Sequence, residues 1–391
     1  MKIEKVAVKE IDDSIPFLYP SRIVEIKTTK GTIRTPNRCA TSYEFNRKQE
    51  LPTTIPLDNR ATIYSKKLTS KEIGNLLSGN EEFGILLESI EKMNRLAEYS
   101  DLHISEFQLF KSAGKGPSPI EILSTNDNLN KFMRMYLRLH EEANNDIIPI
   151  PHLDLARDQL KSTYKTAEKA IEKINRQSVY SLDLAYPYFA EALNFIINDL
   201  QSNCVNLIYR RYRNVPQSYE ELRKYARKDI AFIMTDVERA NFNNSDLSVM
   251  HYMPFFGNDL YAVQPPTGFP KKSKTGEKKK KVRNIGNLRL LNRKELTIKP
   301  IIENTISNQD ILNELNSSEE TTLKFYLDNV DKAQNDDQIY KIINSLTRIH
   351  ELQGSTKEFT VLGAYVKQHS AIDYVKSKKQ LYERLAVVKA R

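Results

Sequence analysis

Tryptophan is absent from this chain of 391 residues, cysteine occurs twice and glycine twelve times. Cys39 and Cys204 are too few for a disulfide framework or a four-cysteine zinc site. A reducing, cytoplasmic setting is the expectation that follows. No arrangement of the glycines spells G-x-x-x-x-G-K-S/T or G-x-G-x-x-G, so a classical Gly-rich phosphate cradle is not expected. Gly114 and Gly116, in SAGKGPSP, read as a turn. The six histidines (103, 140, 152, 251, 350 and 369) are dispersed, with no H-E-x-x-H, and no metal site is expected. No apolar run reaches the roughly 18 residues that a membrane helix needs. The opening MKIEKVAVKEIDD carries acids early and lacks a continuous apolar core, so it does not read as a secretory signal.

What is present is an ordinary globular composition, 40% apolar and 28% charged, which excludes global disorder. The net charge of +9 is unevenly placed. Residues 271–283, KKSKTGEKKKKVR, hold seven Lys and one Arg against one Glu, or +7, leaving +2 for the other 378 residues. Such a run stays solvated through self-repulsion. Either it is a plain solvated loop, or Lys278, Lys279, Lys280 and Lys281 meet a phosphate backbone and make affinity salt-dependent.

The chain then shows a rhythm. Residues 22–35, RIVEIKTTKGTIRT, predict a β-hairpin, and 66–100 read as helical. Short apolar runs IIPIP (147–151), VYSLDL (179–184), VNLIY (205–209) and IAFIM (230–234) alternate with amphipathic helices at 128–140, 155–176, 187–200 and 219–227. Ser218 and Glu221 have the spacing of a capping box for the last of these. YMPFFGNDLYAV (252–263) reads as a turn into a further strand, and 283–298 as a hairpin. Strands alternating with helices imply a parallel sheet. Without a dinucleotide fingerprint, an α/β fold of the TIM-type (β/α)8 barrel class, with an N-terminal hairpin and a C-terminal helical region, is favoured over an open doubly wound sheet. The barrel is expected over 1–300 and the helical region over 301–391.

Catalytic groups of such barrels sit at the C-terminal ends of strands. Those ends carry His152 and Asp154, Asp183, the trio Arg210, Arg211 and Arg213, and Asp236, with Asp259 in the last segment. Any one Asp after a strand could equally cap the next helix. Their recurrence beside arginines suits carboxylate chemistry on an anionic substrate. Tyr209, Tyr212, Tyr252, Phe255, Phe256 and Tyr261 could sandwich a base or simply fill the core.

Several segments resemble the tRNA-guanine transglycosylase superfamily and its DNA-modifying relatives. IKTTKGTIRTPNRCATS is similar to that family's N-terminal hairpin and first strand, and ISEFQLF to its S-G-G-F-Q-x-F segment. DIIPIPHLDL is similar to the strand bearing a base-recognising Asp, and FFGNDLYAVQPPTG to the segment bearing the nucleophile. The resemblance implies exchange of a guanine-type base through a carboxylate nucleophile. Asp259, Asp236 and Glu106 are the catalytic candidates. Asp154, Asp183, His152 and Tyr261 are the base-binding candidates. Arg210, Arg211, Arg213 and the Lys278–Lys281 run are the phosphate-binding ones. The expected partners are RNA or DNA and a guanine or 7-deazaguanine base, with no cofactor and no membrane; a homodimer is compatible with this.

The match also departs from the family. Its general Asp falls on His103, with Glu106 the nearest carboxylate. Its nucleophile position falls near Tyr261 and Ala262, so Asp259 matches only the earlier Asp. The C-x-C-x-x-C zinc site is absent, and VNLIYRRYR stands where small residues would admit a base. Two alternatives therefore stay open: a non-catalytic nucleic-acid-binding barrel, and a barrel enzyme for a small anionic substrate.

Overall fold

The computed structural model describes residues 1–16, 18–42, 44, 60–78, 86–109, 117–211, 214–239, 247–263, 289–300 and 336–389. The basic run 271–283, Arg213 and Tyr212 lie outside them. The chain opens with a three-stranded antiparallel sheet, β1 (Ile3–Asp12), β2 (Ser21–Thr28) and β3 (Thr32–Arg34). The expected hairpin at 22–35 is its second half. The first strand went unread because Lys5, Lys9 and Glu10 make it look like polar surface.

Eight parallel strands follow: β4 (Asn37–Thr41), β5 (Ala61–Leu68), β6 (Leu102–Leu109), β7 (Ile147–Ile150), β8 (Gln177–Asp183), β9 (Cys204–Ile208), β10 (Ala231–Val237) and β11 (Leu260–Val263). Their order in the sheet is β6-β5-β4-β11-β10-β9-β8-β7, which is chain order around a ring. The seam lies where β6 runs beside β7. This is the expected α/β barrel. Between the strands come α1 (Ser70–Ser78), α2 (Leu87–Tyr99), α3 (Pro119–Ile122), α4 (Asn126–Glu142), α5 (Arg157–Lys173), α6 (Phe189–Asn194), which runs into a π-helical turn, and α7 (Pro216–Arg223).

The helix at 66–100 needs correction, because Lys66–Leu68 end β5, and among the described residues helices occupy Ser70–Ser78 and Leu87–Tyr99. The capping box at Ser218 also fails. The helix starts at Pro216, whose fixed φ suits a first helical position, and the Ser218 hydroxyl donates instead to the Leu184 carbonyl at 2.7 Å.

Packing, more than capping, holds these helices. Helix α4 is N-capped by Thr125, which accepts from the Asn128 N–H at 3.3 Å, and it buries Leu129, Phe132, Tyr136 and Leu139. A cap contributes about 1 kcal/mol, whereas each such side chain contributes roughly 1.5–3 kcal/mol.

The two ends of the barrel differ. At the N-terminal end, Ile3, Val6, Val24, Ile26 and Ile33 of the antiparallel sheet pack on inward residues of the strand starts, including Ile63, Ile104, Ile147 and Ile233, and plug the opening. Cys39 and Cys204 belong to this layer as buried apolar residues, and burial raises both thiols, Cys204 to about 12.

After β11 come a hairpin, β12 (Arg289–Asn292) and β13 (Thr297–Pro300), and the helices α8 (Asp336–Lys367), α9 (Ala371–Ser377) and α10 (Lys379–Lys389). Helix α8 lies over β4 and the antiparallel sheet. Its buried Glu351 reaches Arg239 at 2.5 Å, and its Glu358 reaches Lys378 at 2.8 Å and Arg293 at 3.1 Å. Residues 301–335 of the expected helical region lie outside the described residues.

Candidate active site

Alternation along β6 decides what enters the barrel. Leu102 and Ile104 point inward with the apolar plug, and so do Glu106 and Gln108 above them. His103, Ser105 and Phe107 point outward. Phe107 meets Tyr136 and His140 of α4 edge-on, and His103 bonds Thr62 and Ser105. The interior is therefore apolar below and polar above.

Glu106 is fully buried. Its Oε2 accepts from the Ser181 hydroxyl of β8 and from the Asn206 side-chain N–H of β9, and Asn206 also donates to Ser181 at 3.1 Å. Gln108 reaches across to Thr235 of β10 at 3.3 Å. Neither Glu106 nor Gln108 has its partners on a strand paired with β6, so these bonds cross the lumen. Three buried oxygens there, Glu106 Oε1, Gln108 Oε1 and Asn206 Oδ1, have no hydrogen-bond partner among the described residues.

Among the described residues, no cation joins the hydrogen bonds of Glu106. Burial, with the charge of Asp236 adding to it, raises its carboxyl to about 8 against the opposing hydrogen bonds from Ser181 and Asn206. At neutral pH the group is a protonated acid. Both donors aim at Oε2, so the proton sits on Oε1, the oxygen free of partners.

Asp236, the penultimate residue of β10, stands at the rim of the same lumen. Its φ of 59° is left-handed, which is uncommon for a residue other than glycine and clusters at functional sites. Ser65 of β5 donates to it at 2.8 Å, and the Lys67 ammonium stands 3.7 Å away.

The other expected residues divide. Asp183 closes β8 and pairs with Arg210 at 2.6 Å. His152 is buried nearby, with its ring 4.9 Å from that of Tyr186, and burial holds it neutral with a pKa lowered to about 4. Asp154 is exposed at the rim, and Arg211 pairs with Glu238. Arg213 and Lys278–Lys281 lie outside the described residues.

Asp259 stands at the opposite end. It precedes β11, accepts from Arg22 of the plug at 2.6 and 3.0 Å, and accepts the Phe232 N–H at 2.7 Å. Burial pushes its carboxyl up, and the Arg22 charge and these hydrogen bonds pull against that shift. The geometry is an ion pair sealing the barrel floor, and it keeps Asp259 away from the mouth. Tyr261 is also misplaced by the sequence reading. Its neighbours Leu260 and Ala262 face inward, so Tyr261 faces outward, bonds the Asn258 carbonyl and stacks on Phe359 of α8 at 5.8 Å. Phe255, Phe256, Tyr209 and Tyr252 are buried core. Gly257 ends their turn at φ 94°, and a Cβ there would lie 2.8 Å from the Tyr19 ring.

Sequence reasoning missed Ser65, Gln108, Ser181 and Asn206. Their signal was a polar residue at an inward position of an otherwise apolar strand. Among the described residues, no three His, Cys, Asp or Glu gather as a metal site requires, and no helix is long and apolar enough to cross a membrane. The geometry defines an α/β barrel with a polar, carboxylate-bearing C-terminal lumen. Comparison with protein-family models and with curated proteins finds no match to this chain.

Proposed function

We propose that the C-terminal mouth of the barrel cleaves and re-forms the N-glycosidic bond of a nucleotide unit in RNA or DNA, exchanging a guanine-type base. The observation that carries this reading is the pairing of two carboxyl groups in unlike surroundings, Glu106 as a buried neutral acid and Asp236 beside an ammonium and a donating hydroxyl. Two carboxyl groups in surroundings this unlike divide into acid and nucleophile.

Asp236 attacks the anomeric carbon, and a carbon–oxygen bond forms as the carbon–nitrogen bond breaks. The departing base takes the Glu106 proton from Oε1. The incoming base then gives a ring N–H proton back to the Glu106 carboxylate and attacks the same carbon, displacing Asp236. Gln108 Oε1 and Asn206 Oδ1 offer acceptors to the amino and imino donors of such a base. The segment resemblance described above, with the basic run that follows β11 in the chain, supports nucleic acid as substrate.

The test is incubation with tRNA or DNA and labelled guanine or 7-deazaguanine. Incorporation that disappears in Glu106→Gln and Asp236→Asn supports the assignment, and no incorporation into either nucleic acid overturns it.

A further inference from the structure

Three aromatic rings climb out of the mouth in an unbroken file. His152, after β7, meets Tyr186, after β8, at 4.9 Å with planes at 72°. Tyr186 meets Tyr188 at 5.7 Å, again at 72°. Exposure rises along the file from buried His152 and Tyr186 to Tyr188, which is 46% exposed. The file is held in place, since the Tyr186 hydroxyl donates to the Leu155 carbonyl at 2.9 Å, tying the rim loops of β7 and β8 together. Tyr188 itself immediately precedes α6, at its N-cap position. The buried ring below therefore fixes an exposed ring above.

An aromatic ring anchored this way offers a face that any nucleobase can stack on, at little cost in side-chain freedom. The charges nearby refine the reading. Asp154, Asp158, Asp183 and Glu191 outnumber Arg157 and Arg210 at this rim, and Arg157 is engaged with Glu191 at 2.8 Å and with Asp158 at 3.4 Å. Phosphates are repelled there, while an uncharged base is not.

We propose that Tyr188 is a stacking step at which an unpaired base of a single strand rests against the barrel rim, with the sugar-phosphate backbone held elsewhere. The step rests on the assignment of nucleic acid to the mouth.

Because the chain has no tryptophan, Tyr188→Trp gives it a single indole reporter, and Tyr382→Trp, at an equally exposed position on α10, gives the control. Each is titrated with a mixed-sequence single-stranded oligonucleotide at low salt, and its indole emission is followed. Wild type, Tyr188→Ala and Tyr188→Phe are titrated in parallel by fluorescence anisotropy of the labelled strand. The expected result is quenching of the indole in Tyr188→Trp, with emission of Tyr382→Trp unchanged. Kd should be weakened about ten-fold or more in Tyr188→Ala and nearly retained in Tyr188→Phe. If wild type binds the strand but the Tyr188→Trp reporter is silent and Tyr188→Ala binds equally well, the stacking step is overturned and the function of the mouth stands. If wild type neither binds strands at low salt nor incorporates a labelled base, both fall.

Discussion

Asp259 and Glu106 are equally inaccessible carboxyl groups at opposite ends of one barrel, and they have opposite company. Asp259 takes both donors of a buried arginine fork and a backbone N–H, which leaves it fully matched. Glu106 has only a hydroxyl and an amide, both on one oxygen, and a bare second oxygen facing the lumen. Burial alone therefore does not mark a working group. A buried acid surrounded by counter-charge is a structural tie, and one with neutral donors on a single side keeps a proton to give.

The widest expected divergence is in turnover. Glu106→Gln should lower base exchange by roughly 10²–10⁴-fold, the usual span for removing a positioned acid or base, and Asp236→Asn, which removes the nucleophile, should lower it at least as much, both measured as initial rates of label incorporation. Asp259→Asn should instead act on folding. It strands Arg22 in the barrel floor and should cost about 3–5 kcal/mol, read by urea denaturation, with the per-molecule rate of the folded fraction kept. A large rate loss without unfolding in Asp259→Asn would break the contrast.

The two ends should also part in their pH dependence. Glu106 is raised from its ordinary 4.5 to about 8 in the fold. Its contribution is then fully present below pH 4.5 and is lost as pH rises toward 8, because the unfolded chain ionises first. At pH 7 that loss is on the order of 3 kcal/mol. Glu106→Gln should match wild type near pH 4 and become the more stable protein as pH rises, seen by denaturation at stepped pH.

A third buried group sharpens the point from the barrel flank. His251 stacks on Phe359 at 5.2 Å, and neither ring nitrogen has a hydrogen-bond partner among the described residues. Burial lowers it from 6.5 to about 3, with the charges of Arg38, Lys378 and Arg293 adding to the effect. Its contribution is present above pH 6.5 and lost as pH falls. His251→Phe should therefore gain about 2 kcal/mol over wild type at pH 5 and little at pH 8. Equal pH slopes for the two proteins would contradict this.

Much of the barrel was legible because the runs at 147–151, 179–184, 205–209 and 230–234 are apolar and stand between helices with one apolar face. The start of β10 falls at Ala231, against Ile230 in the sequence reading. Strand β5 was not legible, since its last residues, Lys66 and Lys67, continue into a helical pattern. The site was half legible. Residues at strand ends, such as Asp183 and Asp236, announce themselves by position. Ser181 and Asn206 do not, because a small polar residue inside an apolar run gains meaning only when ring closure brings it to Glu106. Tyr261 shows the limit of segment matching, because strand parity, invisible in a short motif, turned it outward.

The most direct test of the contrast is a carboxyl ¹³C titration of the side-chain Glu and Asp signals, with Glu106 identified by its loss in Glu106→Gln and Asp259 by its loss in Asp259→Asn. The expected result is a Glu106 midpoint near 8 and an Asp259 signal that stays that of an ion-paired carboxylate across neutral pH. A Glu106 midpoint in the ordinary carboxylate range would contradict the account, because the lumen would then hold no acid to give.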